Sequence, residues 1–109
     1  GDLYVRVIVK KHSVFQRKGD DLYLTLPISF SQASLGDEID ISTLDGQKLL
    51  FKIPAGSESG KILRITGRGI PRFGNYGRGN LYVELVLKTP KKITRKQKEL
   101  LEKLKEEGL

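Results

Sequence analysis

Apolar and polar residues alternate along several short stretches of the chain, as expected for β-strands that bury one face. The clearest stretch is residues 22–30, and residues 1–10, 61–66 and 81–88 follow the same pattern. Pro27 interrupts the first of these stretches and cannot donate a ladder hydrogen bond. We therefore expect that strand to lie at a sheet edge or to bend at the proline.

A β-hairpin is predicted for residues 38–44 and 47–53, because Asp45-Gly46 between them suits a tight type I′ turn. Between the first strand and this hairpin, residues 31–35 suit one short helical turn. We expect Ser31 to cap that turn and Gly36 to end it.

A C-terminal helix is predicted for residues 95–107. Thr94 and Gln97 have the spacing of a capping box, and Gly108 suits the C-terminal end of a helix. A single helix of this length is marginal in water, so its apolar stripe must pack against either its own domain or a second copy of the chain. We favour the second copy, and the stripe consists of Leu100, Leu101 and Leu104.

Together these elements predict an all-β fold: a small two-sheet β-sandwich of five or six strands with one short helical turn and a C-terminal α-helix. A chain of 109 residues is one ordinary domain. No segment has the pattern of a membrane span or a signal peptide. The sequence contains no cysteine, which excludes disulfides and thiolate metal sites and is compatible with a cytoplasmic protein.

The first ten residues look like a copy of a later stretch. Residues 1–10 align with residues 79–88 and share Gly, Leu, Tyr, Val and a closing Lys. The later copy ends a long β-rich unit. We therefore expect the chain to begin on the last strand of a preceding, related unit, and to be a fragment of a tandem protein. That first strand should pack on the following domain, pair with another chain or lie loose.

The chain is basic, with 20 Lys and Arg residues against 13 Asp and Glu and a formal net charge of +7. Such a balance favours acidic partners, including nucleic acid. Residues 67–80 form a Gly-rich loop in which arginines alternate with Phe73 and Tyr76, a combination that suits stacking on single-stranded nucleic acid. A strand rather than a helix follows the glycines, unlike in phosphate-binding fingerprints. We favour a structural loop and keep a nucleic-acid-binding β-domain as the alternative.

Nothing in the sequence requires catalysis. His12 is the only histidine and lies in a Lys-rich segment, no serine has a nucleophile-elbow context, and the acidic residues suit simple solvation. We expect no enzymatic activity, no metal and no cofactor.

Several motifs in a fixed order then identify a family resemblance. They are GDDLY at 19–23, IPAG at 53–56, GRGIP at 67–71, GRGNLYV at 77–83 and TPKKIT at 89–94. Together they resemble the second C-terminal domain of DnaJ-type J-domain co-chaperones over essentially the whole chain. The resemblance implies that residues 1–10 are the last strand of the first such domain and 11–18 a linker. It makes 19–90 the client-binding-type β-sandwich and 91–109 a dimerisation helix.

The resemblance also implies a role. Such proteins hold unfolded polypeptides, prevent their aggregation and deliver them to a DnaK-type chaperone, and they form homodimers. It implies a dimer contact through Ile93, Leu100, Leu101 and Leu104. The sequence lacks the family's His-Pro-Asp motif and its Cys-rich zinc region, so we expect a fragment that dimerises without stimulating an ATPase.

The client-binding site implied by the resemblance lies on the second arm of the hairpin, at Leu50, Phe51 and Ile53. An extended client could add to this arm as a further strand. Leu50 lies on the opposite face of the strand from Phe51, which makes it a candidate for the contact. The alternative is that Leu50 simply faces the short helical turn.

Overall fold

The computed structural model describes residues 15–42, 46, 48–71 and 77–109. Within these ranges the chain forms six strands and two helices. In chain order they are β1 (Phe15–Lys18), β2 (Asp21–Ile28), α1 (Phe30–Leu35), β3 (Asp37–Ser42), β4 (Lys48–Ile53), β5 (Ile62–Ile65), β6 (Leu81–Leu87) and α2 (Arg95–Glu106).

The strands form two sheets. Four of them lie in the order β1-β2-β6-β5, and β3 pairs with β4 in a separate antiparallel sheet. Within the larger sheet β2 runs parallel to β6, from Leu22 beside Leu81 to Ile28 beside Leu87. β1 and β5 pair antiparallel to their neighbours. The predicted all-β fold with two sheets and a C-terminal helix is confirmed.

One apolar core joins the two sheets and the short helix. Every second residue of the long strands belongs to it, and none of its members is more than 4 % exposed. Full burial of a side chain of this size contributes about 1.5–3 kcal/mol, so this cluster is the main source of stability. Its members are Leu22, Leu24, Leu26, Ile28, Ala33, Ile39, Ile41, Phe51, Ile53, Leu81, Val83 and Leu85.

Within the described residues, β2 has a strand on both sides at its start and on one side at its end. The first residue of β1, Phe15, lies opposite Leu24, so Pro27 lies beyond the described end of β1. Among the described residues, β6 is the only strand beside Pro27. Within the described residues, the missing N–H of the proline therefore interrupts no pairing on the β1 side of the strand.

The structure differs from the sequence expectation at the end of the predicted linker, because Phe15–Lys18 forms β1. A two-residue turn at Gly19 and Asp20 connects it to β2, and the φ of Gly19 is 63°. Phe15 packs against the core. A Gly-Asp pair between two short strands is a recognised hairpin signal, and the polar composition of the segment concealed it. The expected first-domain strand at residues 1–10 lies outside the described residues.

The N-cap of α1 also corrects the sequence expectation. Ser29, rather than Ser31, caps the helix: its Oγ accepts a hydrogen bond from Gln32 N at 3.1 Å. The Gln32 side chain in turn accepts from Ser29 N at 2.9 Å, which completes a capping box. The box needs Gln three residues after the cap, a spacing that Ser29 has and Ser31 lacks. Gly36 ends the helix as expected, with φ 80°.

Three backbone segments cross at the start of the parallel pair β2 and β6. The Asp20 carbonyl accepts a hydrogen bond from Ile70 N at 2.8 Å, and Leu22 N donates to the Asn80 carbonyl at 2.9 Å. Gly69 N donates to the Gly79 carbonyl, also at 2.9 Å. We call this arrangement the glycine crossing; its segments are residues 19–22, 67–71 and 77–80.

The glycine crossing has no space for a side chain at either central glycine. A Cβ atom on Gly69 would lie 2.5 Å from the Asp20 carbonyl oxygen, and one on Gly79 would overlap the same peptide group. Neither glycine has a positive φ. They are therefore required by close backbone approach, the general reason for glycine where chains cross.

We expect Gly79→Ala to lower the free energy of unfolding by at least about 2 kcal/mol, because backbone must move to admit the methyl group. Urea denaturation at one fixed protein concentration measures the change. Gly60→Ala is the matched control. Gly60 has φ 91° and open space around it, so its substitution costs only the left-handed backbone strain of about 1–2 kcal/mol. Equal stability of the two variants would contradict the steric account.

Candidate functional site

The outward face of the β3–β4 hairpin carries one exposed apolar residue among charged ones. Leu50 is 60 % exposed and lies between Lys48 and Lys52 along β4. Across the ladder it is paired with Asp40. Phe51 and Ile53 project into the core instead, as their burial shows. Of the three residues suggested for client contact, only Leu50 is accessible, while the other two anchor the strand from inside.

In the described part of the chain, the hairpin sheet has no further strand on either side. Among the described residues it contains only β3 and β4, so each strand has one edge without a neighbouring strand. An edge of this kind presents unpaired backbone N–H and C=O groups to any extended peptide. The geometry therefore combines a backbone template with a single apolar contact at Leu50.

A shallow open groove lies at one end of the same hairpin. It has a volume of about 610 Å³ and runs between residues 35–38 and 52–55. Leu35 at its rim is 80 % exposed. A Cβ on Gly36 would lie 2.9 Å from the Ile53 carbonyl oxygen, so this glycine lets α1 approach β4 closely. The sequence does not mark Leu35 as exposed, because an apolar residue just before a helix-ending glycine can face either core or solvent.

The C-terminal helix α2 is well formed but buries no residue. Thr94 Oγ1 accepts from Gln97 N at 3.1 Å, and the Gln97 side chain accepts from Thr94 N at 2.8 Å, so the predicted capping box is present. At the other end Leu109 N donates to the Leu104 carbonyl at 2.9 Å and Gly108 N to the Lys105 carbonyl at 3.1 Å. These two bonds form a Schellman motif.

The apolar stripe of α2 remains largely uncovered. Ile93, Leu100 and Leu101 are each between 43 % and 47 % exposed, and Leu104 is half-buried. Three of the four predicted dimer-contact residues therefore lie on α2, and Ile93 lies immediately before the N-cap Thr94. Within the part of the chain that the structure describes, no element packs over them closely enough to bury them.

The described part of the Gly-rich loop serves the fold. Its four glycines sit in or beside the glycine crossing, and Arg78 Nε donates to the Gly69 carbonyl at 3.0 Å. Arg78 thus has a structural partner within the loop. Phe73 and Tyr76 lie outside the described residues. The alternative of a nucleic-acid site gains no support from the described part of the loop.

Among residues 15–42, 46, 48–71 and 77–109, no group of three or more His, Asp or Glu side chains could hold a metal ion. Within the same ranges, neither helix has the length and apolar character needed to cross a membrane.

Comparison with known proteins agrees with the motifs and the fold. The family model of the DnaJ C terminal domain matches residues 1–90. The Chaperone protein DnaJ of Fusobacterium nucleatum subsp. nucleatum is 50 % identical over 106 residues, which cover 97 % of this chain and 27 % of that protein. The Chaperone protein DnaJ of Leptospira biflexa serovar Patoc is 49 % identical over 108 residues, 99 % of this chain and 29 % of the relative.

A third relative, the Chaperone protein DnaJ of Clostridioides difficile, is 48 % identical over 107 residues, 98 % of this chain and 28 % of its own length. The chain thus spans little more than a quarter of the relatives it matches. With a family model that covers most of its residues and relatives at half identity, the chain belongs to the DnaJ C-terminal domain family.

Proposed function

We propose that this chain is the part of a DnaJ-type co-chaperone that holds unfolded polypeptide clients and joins two protomers into a homodimer. Delivery of the clients to a DnaK-type chaperone would be an activity of the whole parent protein. The observation that carries the proposal is the uncovered apolar stripe on a helix that is capped at both ends. Family membership supports the chaperone role.

The short length of α2 and its exposed apolar stripe both favour a dimer. A helix of 12 residues is marginal in water by itself. Burying the remaining surface of each half-exposed leucine or isoleucine contributes about 1 kcal/mol. Two copies of the stripe, Ile93 included, then contribute at most about 8 kcal/mol, from which an association cost of at least about 4 kcal/mol must be subtracted. A dimer at tens of micromolar therefore requires the two copies to bury further surface beside the stripe.

The client would add as a strand to the open edge of β4. Backbone hydrogen bonds along that edge supply affinity that does not depend on sequence, and Leu50 supplies an apolar contact that selects among clients. Phe51 and Ile53 contribute indirectly, because their burial holds the strand flat against the core. Two such edges in a dimer bind one long client with a gain in avidity.

We expect no membrane partner and a cytoplasmic location, in line with the resemblance and the absence of cysteine from the sequence. Nucleic acid is not a partner in this proposal. The basic charge is spread along strands and helix, and Arg78 already bonds to backbone.

The double substitution Leu100→Asp with Leu104→Asp should make the protein monomeric at tens of micromolar, because two charges would replace the centre of the stripe. Sedimentation equilibrium or multi-angle light scattering measures the mass. The control is Glu102→Asp with Glu106→Asp, which places the same two side chains on the opposite face of α2 and should leave the dimer intact. A wild-type protein that is monomeric at these concentrations would refute the dimer.

Leu50→Asp should weaken client binding about five- to tenfold, since it replaces an apolar contact worth about 1 kcal/mol with a charge. Fluorescence anisotropy of a labelled, permanently unfolded polypeptide measures the affinity. Ile62→Asp is the matched control, because Ile62 is also an exposed apolar residue on an edge strand, β5. An equal loss in both variants would show that the hairpin edge is not the specific site.

A further inference from the structure

The charged residues on the outward face of the β3–β4 hairpin are separated by strand. β4 carries Lys48 and Lys52 on this face, on either side of Leu50, and all three are exposed. β3 carries Glu38 and Asp40 on the same face, opposite Lys52 and Leu50 in the ladder. The outward face is therefore positive along β4 and negative along β3.

A strand that adds to β4 on the side away from β3 lies much closer to the lysines than to the carboxylates. Adjacent strands are about 4.8 Å apart, so the side chains of β3 lie about 10 Å from the added strand. That distance is about the Debye length at physiological ionic strength, and salt therefore screens the carboxylates of β3 from the added strand. The charges that the added strand meets directly are those of Lys48 and Lys52.

Lysines on an edge strand discourage the addition of most other strands. In particular, a second copy of β4 would bring Lys48 and Lys52 against the same two residues. A strand with carboxylates at the matching positions reverses this effect, because side chains directly opposite each other on one face of a sheet attract when their charges are opposite. The two lysines therefore discriminate among strands by charge.

We propose that the open edge of β4 selects client segments in which an apolar residue has a carboxylate two positions before it and two positions after it. The inference rests on the proposed client site at β4. Residues two apart in a strand share a face, so the apolar residue lies beside Leu50 and the carboxylates lie beside Lys48 and Lys52. The pattern on β4 is symmetric about Leu50, and the same client pattern therefore fits in either direction.

The intervening client residues face the other side of the sheet, beside Leu49 and Phe51. Phe51 belongs to the core and Leu49 packs against it. Apolar client residues suit these two positions, because they extend the apolar surface at the edge of the sandwich. The selected segment is thus a short apolar run with a carboxylate at each end.

Synthetic peptides that differ only in the identity or order of their charged residues test the proposal. Their cores are Glu-Val-Leu-Val-Glu (the acidic peptide), Lys-Val-Leu-Val-Lys (the lysine peptide) and Val-Glu-Leu-Glu-Val (the reordered peptide), each flanked by Gly-Ser. NMR titration of the isotope-labelled chain measures each affinity, and the backbone amides that shift show where each peptide binds. The acidic peptide should bind at β4 about five- to tenfold more tightly than the lysine peptide, because attractive cross-strand pairs replace repulsive ones. The reordered peptide has the same charge with its carboxylates on the other face, and it should lose most of this advantage.

Charge reversal on β4 provides the matching test on the protein. Lys48→Glu with Lys52→Glu should reverse the preference, so that the lysine peptide binds more tightly, and Lys48→Glu alone should abolish it. The control is Lys61→Glu with Lys88→Glu, which changes the net charge equally at exposed positions away from the hairpin and should leave the preference unchanged. The preference of the wild-type protein should shrink at about 0.5 M salt as screening increases. The dispersion of the amide spectrum shows that each variant is folded.

Each contrary outcome has a distinct meaning. Equal affinity of the acidic and lysine peptides at β4 would overturn the charge selection alone, and so would equal affinity of the acidic and reordered peptides. Amide shifts along β3 instead of β4 would overturn the assignment to this edge. A change in the mass of the protein, rather than in peptide affinity, on Lys48→Glu would mean that a second copy occupies the edge. If neither the peptides nor an unfolded polypeptide shifted the amides of β4, the proposed client site itself would be wrong.

Discussion

The whole sandwich depends on three backbone segments that meet without space for a side chain. At the glycine crossing the Asp20 peptide lies against Gly69 and Gly79, and hydrogen bonds link all three segments. Because Leu22 N bonds to the Asn80 carbonyl, β2 and β6 begin at the same level. Parallel strands far apart in sequence need such a device, since no tight turn can set their register.

The register set at the crossing decides what becomes core and what remains surface. Leu22 beside Leu81 puts the alternating leucines of both strands in phase on one face. The hairpin covers that face with Phe51 and Ile53 and exposes Leu50 on the other side. The register thus sets the apolar face of the larger sheet, and the alternation along β4 places Leu50 on the outer face of the hairpin.

The helix α2 differs from the sandwich in the exposure of its apolar residues. The sandwich buries its apolar residues internally, whereas α2 has hydrogen-bonded ends and an exposed apolar stripe. The proposed dimer would use this stripe as its contact, and the proposed client surface would lie on the sandwich. The chain spans little more than a quarter of the length of the relatives it matches.

The sequence by itself determined the elements whose signals are local. The alternation of apolar and polar residues predicted the inner strands, and the capping pair Thr94 and Gln97 predicted the start of α2. The ordered motifs identified the family. Each of these signals depends on residues close together in the chain. Local signals were ambiguous at β1, whose polar composition also suits a linker. They were ambiguous again at the N-cap of α1, where the sequence offers both Ser29 and Ser31. Only the tertiary structure decided that β2 lies parallel to β6, that the Gly-rich loop serves a backbone crossing, and that Leu50 and Leu35 face solvent. These features depend on contacts between segments far apart in the chain, such as Asn80 N with the Asp21 carboxylate, 59 residues away. The local pattern of residues does not encode which distant segments meet.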